Sequence, residues 1–235
     1  MLYVRSGLFT VLYFLTGIFY GSMSVLLLPV AIRVRHKIII SWTRLAIILV
    51  RVICGIRYEV IGREYLDKSR WPVIVLSKHQ STWETLFLQG LFWPASTVLK
   101  KELLKIPFFG WGLRALVPIA IDRDNPREAL RDVKEKGLNR LKHNYNVLLF
   151  PEGTRIPVGK KGKYARSGAD IAIASGVNII PIAHNAGKLW PTSEFVKRPG
   201  TVTIVVGEPI SPEGKSSKEI IQQVEDWIES TVATL

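Results

Sequence analysis

His79 stands five residues before Glu84 in Lys78-His79-Gln80-Ser81-Thr82-Trp83-Glu84, directly after the apolar run Trp71-Pro72-Val73-Ile74-Val75-Leu76. Histidine is the side chain best suited to take a proton from a hydroxyl near neutral pH, and a carboxylate beside it fixes its tautomer and stabilises the imidazolium that forms. Such a pair activates an alcohol for acyl transfer. The same residues admit a structural reading, because Ser81-x-x-Glu84 has the spacing of a capping box, in which the glutamate reaches back to the first turn of a helix. Both readings stand on the sequence alone. The position of His79 at the carboxyl end of a strand-like run adds to the chemical one, since open α/β sheets form their binding crevices there.

A second block, Phe150-Pro151-Glu152-Gly153-Thr154-Arg155, also follows an apolar run, Val147-Leu148-Leu149. Read alone, Pro151 to Thr154 is an ordinary turn, and Arg123 in Asp122-Arg123-Asp124 is a solvated charge cluster. Together with His79 they read as a site for a phosphate-bearing substrate, because guanidinium forks match phosphate oxygens bidentately.

His79 to Glu84 and Phe150 to Arg155, taken together, resemble the glycerolipid acyltransferase family typified by bacterial 1-acyl-sn-glycerol-3-phosphate acyltransferases, whose marks are H-x-x-x-x-D and a later F-P-E-G-T-R-like block. The resemblance runs from about residue 70 to 185. Lys100-Lys101-Glu102-Leu103-Leu104-Lys105-Ile106-Pro107-Phe108-Phe109-Gly110 is similar to the family's lysine-rich P-x-x-G block, Ile121-Asp122-Arg123 to its I-D-R block, and Gly168, Gly176 and Ile180-Pro181-Ile182 to its last block. One position departs from the pattern: Glu84 stands where most of the family has Asp. The resemblance implies His79 and Glu84 as catalytic residues and Lys100, Lys101, Arg123, Glu152, Gly153, Thr154 and Arg155 as substrate contacts. It implies transfer of a fatty acyl group from acyl-CoA or acyl-carrier protein to the free hydroxyl of 1-acyl-sn-glycerol 3-phosphate, giving phosphatidic acid. No metal or bound cofactor is expected. Direct transfer is expected as well, because the chain has no G-x-S-x-G elbow and its single cysteine, Cys54, lies in the apolar N-terminal part. The alternatives are an acyltransferase for another lysolipid or for glycerol 3-phosphate, and a non-catalytic basic membrane-binding protein.

The elements that must position these residues follow from charge and hydropathy. A net charge of +13 calls for an anionic partner, either nucleic acid or a membrane surface. The first 58 residues hold no Asp or Glu and carry Arg5, Arg33, Arg35, Lys37, Arg44, Arg51 and Arg57. Cations embedded in apolar sequence mark a membrane interface and argue against nucleic acid. Ser6 to Ile32 is uncharged; at about 1.5 Å per residue such a helix is about 40 Å long, enough to span or lie steeply in a bilayer. If it spans, Arg33, Arg35 and Lys37 place the rest at the cytoplasmic side of the inner membrane. Lys37, Arg44 and Arg51, spaced by seven, line one helical stripe from which cations reach headgroups, so Ile38 to Ile53 reads as an interfacial helix. Gly17-x-x-x-Gly21 offers a close approach for a second helix or is a chance pair.

After Tyr58 short apolar runs alternate with polar helical stretches, predicting a mixed, largely parallel α/β sheet flanked by helices. Strands are expected at 72–77, 95–99, 116–121, 146–150, 178–183 and 201–206, and helices at 82–92, 127–142, 167–176 and 216–233. The expected division is a two-helix membrane element over 1–57 and an acyltransferase domain over 58–235. Trp93, Trp111 and Trp190 are candidate interfacial anchors, Lys160 to Arg166 a basic loop over phosphate, donor or membrane, and His184 a satisfied structural histidine.

Overall fold

The computed structural model describes residues 1–235, apart from the side chains of Ser69 and Pro126. Two long helices come first, α1 (Leu2–Leu26) and α2 (Ile32–Leu49), the second running on into a π-helical turn over Val50–Cys54. Then come β1 (Ile56–Ile61), β2 (Ile74–Ser77), α3 (Trp83–Leu91), β3 (Ala95–Lys100), α4 (Phe109–Ala115), β4 (Ile119–Ile121), α5 (Pro126–Lys142) and β5 (Asn146–Leu149). The chain ends with α6 (Ser167–Ser175), β6 (Ile179–His184), α7 (Ala186–Leu189), β7 (Gly200–Val206) and α8 (Ser217–Thr234).

The strands form one sheet in the order β1-β7-β6-β2-β5-β3-β4. Every neighbouring pair is parallel except β6 with β7. β2, β5 and β6 are buried throughout, and because successive side chains point to opposite faces they feed two cores. Val75, Leu148, Ile180 and Ile182 pack with Phe9 of α1, Ala46 and Ile47 of α2, Val50 of the π-helical turn, Trp83 of α3 and Phe92 just after it. Ile74, Leu76, Val147, Leu149 and Ile179 pack with Val133 and Leu141 of α5, Ile171 of α6 and Ile220, Val224 and Ile228 of α8. The architecture is therefore helices, sheet, helices.

The expected boundary between 57 and 58 falls inside β1, and Phe9 and Val50 belong to the same core as the sheet. The N-terminal helices are thus one layer of the fold, because their inner faces carry the residues that cover it. The pair Gly17 and Gly21 serves that packing: a Cβ at Gly17 would lie 3.4 Å from Trp42 of α2, and one at Gly21 only 2.3 Å from the Phe108 carbonyl at the head of α4. The strand expected at 116–121 is shortened to Ile119–Ile121 because Val117 turns left-handed (φ 52°), its carbonyl held by Ser96 Oγ at 2.6 Å and Arg140 Nε at 3.1 Å.

Candidate active site

Because β6, β2, β5, β3 and β4 all run parallel, their carboxyl ends open on one edge of the sheet. His79 follows β2, the Phe150–Arg155 loop follows β5 and Arg123 follows β4. All three regions border one cavity of about 1170 Å³, which His79, Arg123, Gly153, Thr154 and Arg155 line in part.

His79 Nδ1 and Glu84 Oε1 are 2.9 Å apart. The same Glu84 oxygen accepts the backbone N–H groups of Gln80 at 2.9 Å and Ser81 at 2.8 Å. The two readings of the sequence therefore coincide: Glu84 closes the turn ahead of α3 and orients the imidazole with one atom. The longer side chain of Glu permits this, because it starts inside the helix and reaches back over its beginning. Burial pushes the Glu84 carboxyl up, and the nearby His184 and His79 rings together with the Ser81 N–H more than offset it, so it titrates below its ordinary value and stays ionised near neutrality. An ionised acceptor at Nδ1 requires the N–H there, leaving Nε2 of neutral His79 with a free lone pair. The side chain is 13% exposed, and its ring stacks on Phe150 with centroids 4.0 Å apart.

His184 is satisfied on both nitrogens, Nε2 facing the Lys78 carbonyl at 2.8 Å and Nδ1 accepting from Ala186 N–H at 3.2 Å. Desolvation lowers its pKa despite Glu84 nearby. It is fully buried and is absent from the cavity wall.

The two sequence blocks interlock. His79 N–H donates to Glu152 Oε2 at 2.9 Å, Ile156 N–H to the His79 carbonyl at 2.8 Å, and Arg155 Nε to the Ser81 carbonyl at 3.2 Å. Arg155 is thereby anchored by one nitrogen while it lines the cavity. Gly153 adopts φ 68° with open space around it, a left-handed turn that favours glycine. Glu152, expected to touch substrate, stands outside the cavity wall: its carboxylate is enclosed between His79 N–H and Lys78 Nζ, where it fixes the backbone of the histidine turn. Lys100 lines the cavity; Lys101, also expected as a contact, stands outside its wall in the turn after β3. Pro107-Phe108-Phe109-Gly110 forms a tight turn closed by Phe109 N–H on the Pro107 carbonyl at 2.6 Å with Phe108 at φ 59°, and Pro107, Phe108 and Phe109 line the cavity.

Sequence reasoning attaches no function to Lys78 or Glu229, yet both stand behind this turn. Lys78 is fully buried, with Nζ 2.7 Å from Glu152 Oε1 and 2.8 Å from Glu229 Oε1 on α8. A buried lysine is rare unless paired, and its adjacency to His79 is the only signal the sequence offered. The basic loop lies against α8, where Lys161 pairs with Glu225 at 2.7 Å. Trp190 packs on Phe9 in the core at a centroid distance of 5.1 Å, and Trp93 donates to His36 Nδ1 at 3.1 Å, so of the three candidate anchors Trp111 presents the largest exposed face.

Residues 57–185, more than half of the chain, match the family model described as Acyltransferase. The chain belongs to the acyltransferase family. It is 45% identical over 99% of its length to the 1-acyl-sn-glycerol-3-phosphate acyltransferase of Pseudomonas aeruginosa, covering 91% of that protein. A protein of the same name from Saccharomyces cerevisiae is 31% identical over 80% of this chain, which spans 62% of that relative. Among solved structures, the 1-acyl-sn-glycerophosphate acyltransferase PlsC of Thermotoga maritima superposes with a TM-score of 0.81 at 26% identity, covering all of this acyltransferase and 97% of that chain.

Proposed function

We propose that this acyltransferase esterifies the free hydroxyl of 1-acyl-sn-glycerol 3-phosphate with a fatty acyl group from acyl-CoA or acyl-carrier protein, forming phosphatidic acid. The observation that carries the reading is the His79–Glu84 pair at 2.9 Å beside a cavity that also presents Arg123 and Arg155. His79 Nε2 takes the hydroxyl proton as the oxygen bonds to the thioester carbonyl carbon, and Glu84 stabilises the imidazolium. The tetrahedral adduct collapses with cleavage of the C–S bond, the imidazolium returning its proton to the thiolate, so that ester and free thiol leave and His79 is neutral again. Arg155 and Arg123 hold the acceptor's phosphate.

The cavity wall explains the acceptor's second half. Besides the polar edge it includes Tyr13, Phe14 and Ile18 of α1 and Leu103, Phe108 and Leu113 near α4, an apolar lining of the kind a fatty chain fills. Phe14 and Ile18 are 62% and 43% exposed, and Leu8, Val11, Leu15 and Phe19 continue the outer face of α1. Lipid can therefore approach through that face. Among the described residues α1 is the one helix long and apolar enough to cross a membrane. It nevertheless buries Ser6 and Phe9 near one end and Gly21 and Ser24 near the other against the rest of the protein. A helix packed on the α/β core at both ends lies in the leaflet next to that core, with the exposed Lys37 and Arg44 of α2 and Arg51 of the π-helical turn at headgroup level. The reading places the active site at the cytoplasmic face of the membrane, where the free thiol of Cys54 stays reduced.

The test is acyl transfer by the purified protein with lysophosphatidate, glycerol 3-phosphate and a neutral lysolipid as acceptors, each with acyl-CoA and with acyl-carrier protein. Lysophosphatidate turnover well above the other two is expected. Equal turnover of the neutral lysolipid would overturn the role of the arginines.

A further inference from the structure

Lys78 and Glu229 lie outside the chemistry just described, and both are held in a charge network too complete for a surface accident. Lys78 has three donors and three acceptors: Glu152 Oε1, Glu229 Oε1 and, at 3.3 Å, the Lys160 carbonyl. Glu152 Oε1 also accepts Gly162 N–H at 3.3 Å, while its other oxygen holds His79 N–H. Glu229 Oε1 also accepts the Tyr164 hydroxyl at 2.7 Å. Burial, first, and that bond to Glu229, second, keep Tyr164 protonated as a donor. One buried cation, the buried Glu152 carboxylate and the partly exposed Glu229 carboxylate are thus linked, joining α8, the basic loop and the turn that carries His79.

Such a cluster is a poor way to gain stability alone, because taking charges out of water costs about as much as their attraction returns. What it fixes is geometry. Glu152 sets the height of the His79 backbone, Lys78 sets the rotamer of Glu152, and Glu229 supplies the second carboxylate that holds Lys78 in line. The geometry points to Glu229 of α8, acting through Lys78 and Glu152, as a positioning residue for the catalytic histidine. The inference rests on His79 being the base. It adds that the C-terminal helix, some 150 residues from the dyad in sequence, sets the turnover number of the site without touching substrate.

The experiment compares kcat and the KM for lysophosphatidate in full-length protein carrying Glu229→Ala, Glu229→Gln or His79→Ala, with melting temperature measured on each. Displacing a reacting group by about 1 Å can cost about 100-fold in rate. Glu229→Ala removes an acceptor and a charge and is expected to lower kcat by about tenfold or more with KM changed less than about twofold. Glu229→Gln keeps an oxygen for Lys78 and Tyr164 and is expected to recover most of that loss, to within about threefold of the parent. If Glu229→Ala does not fold, Glu229→Asp, which draws the carboxylate back from Lys78 and Tyr164 by one methylene, takes its place and is expected to lower kcat at unchanged KM. The inference is overturned if folded Glu229→Ala, or Glu229→Asp in its place, turns over as the parent does, or if KM rises while kcat holds. Full activity of His79→Ala would instead remove the base itself, so the two failures are told apart within one data set.

Discussion

Replacing Glu84 by Gln separates charge from shape at one atom. The amide oxygen can still accept from His79, Gln80 and Ser81, the three donors that converge on Glu84 Oε1. The amide nitrogen takes the place of Oε2, which is buried and unpartnered, so shape is nearly conserved. What disappears is the negative charge beside a developing imidazolium. At a charge separation of about 4 Å and an effective dielectric of about 20, that attraction is about 4 kcal/mol for a full charge. With the proton about half transferred, about 2 kcal/mol is realised in the transition state, or about 30-fold in rate at about 1.4 kcal/mol per decade. Acyl transfer should therefore fall by one to two orders of magnitude, roughly 10- to 100-fold. The melting temperature should fall by only a few degrees, since about 1 kcal/mol shifts a chain of this size by about 2–4 °C. The stability difference also has a sign in pH. Glu84 titrates below its ordinary value in the folded protein, so its contribution is present above the unfolded carboxyl pKa of about 4.3 and is lost as pH falls through the folded value. The gap in melting temperature between parent and variant should accordingly close on acidification. Turnover within about threefold of the parent, at any melting temperature, would show that Glu84 only builds the turn and that the charge argument is wrong.

His79→Ala should lose about 10²–10⁴ in kcat while the protein folds and reaches the membrane; near-normal turnover would remove the mechanism. Arg155→Ala should raise the KM for lysophosphatidate by about 10- to 100-fold and that for the acyl donor far less, from a charge-assisted contact of about 1.5–3 kcal/mol. An unchanged acceptor KM would make Arg155 a brace for the Ser81 carbonyl alone. Gly21→Ala places a Cβ 2.3 Å from the Phe108 carbonyl, and such overpacking should cost about 1–3 kcal/mol, read as a lower melting temperature; no change would mean that α1 and α4 separate freely. Neutralising Lys37, Arg44 and Arg51 to Gln together should weaken binding of the full-length protein to anionic vesicles, at about 1 kcal/mol per cation, while high salt should not strip it from membranes. Binding indifferent to lipid charge would place α2 away from the headgroups.

The readable part of this fold is the part where local pattern and tertiary environment agree. Central strands such as β5 and β6 are continuous apolar runs because both faces are buried, and α5 announces itself with Asn125 accepting Glu128 N–H ahead of a long polar helix. β1 escapes notice because it is an edge strand: Arg57, Tyr58 and Glu59 are exposed in succession, which erases the alternation. α4 is hidden by Gly110 and Gly112, poor helix formers that are there for contact: a Cβ at Gly110 would meet the Leu104 carbonyl at 2.3 Å. α7 is four residues long and has no period to detect.

The site divides along a similar line. The side chains proposed for the chemistry, His79 with Glu84 behind it, Arg123 and Arg155, fall in short blocks whose spacing is legible because each block begins at the end of one strand. The interior of those blocks is where residue type misleads. Glu152 sits in the same hexapeptide as Arg155, yet its carboxylate turns inward to the His79 N–H while Gly153, Thr154 and Arg155 line the cavity. Lys78 shows the same limit from the other side. A lysine beside a catalytic histidine reads as a substrate contact or a solvated charge until β2 is known to be covered on both faces. Once it is, the side chain must be enclosed, and an enclosed ammonium demands carboxylates from elsewhere in the chain. Glu229 answers that demand from α8, a helix whose sequence shows amphipathicity and a Ser216–Glu219 capping box but nothing of a catalytic role. The partner of a buried charge is set by tertiary contact, which is why the last helix joins the active site only in three dimensions.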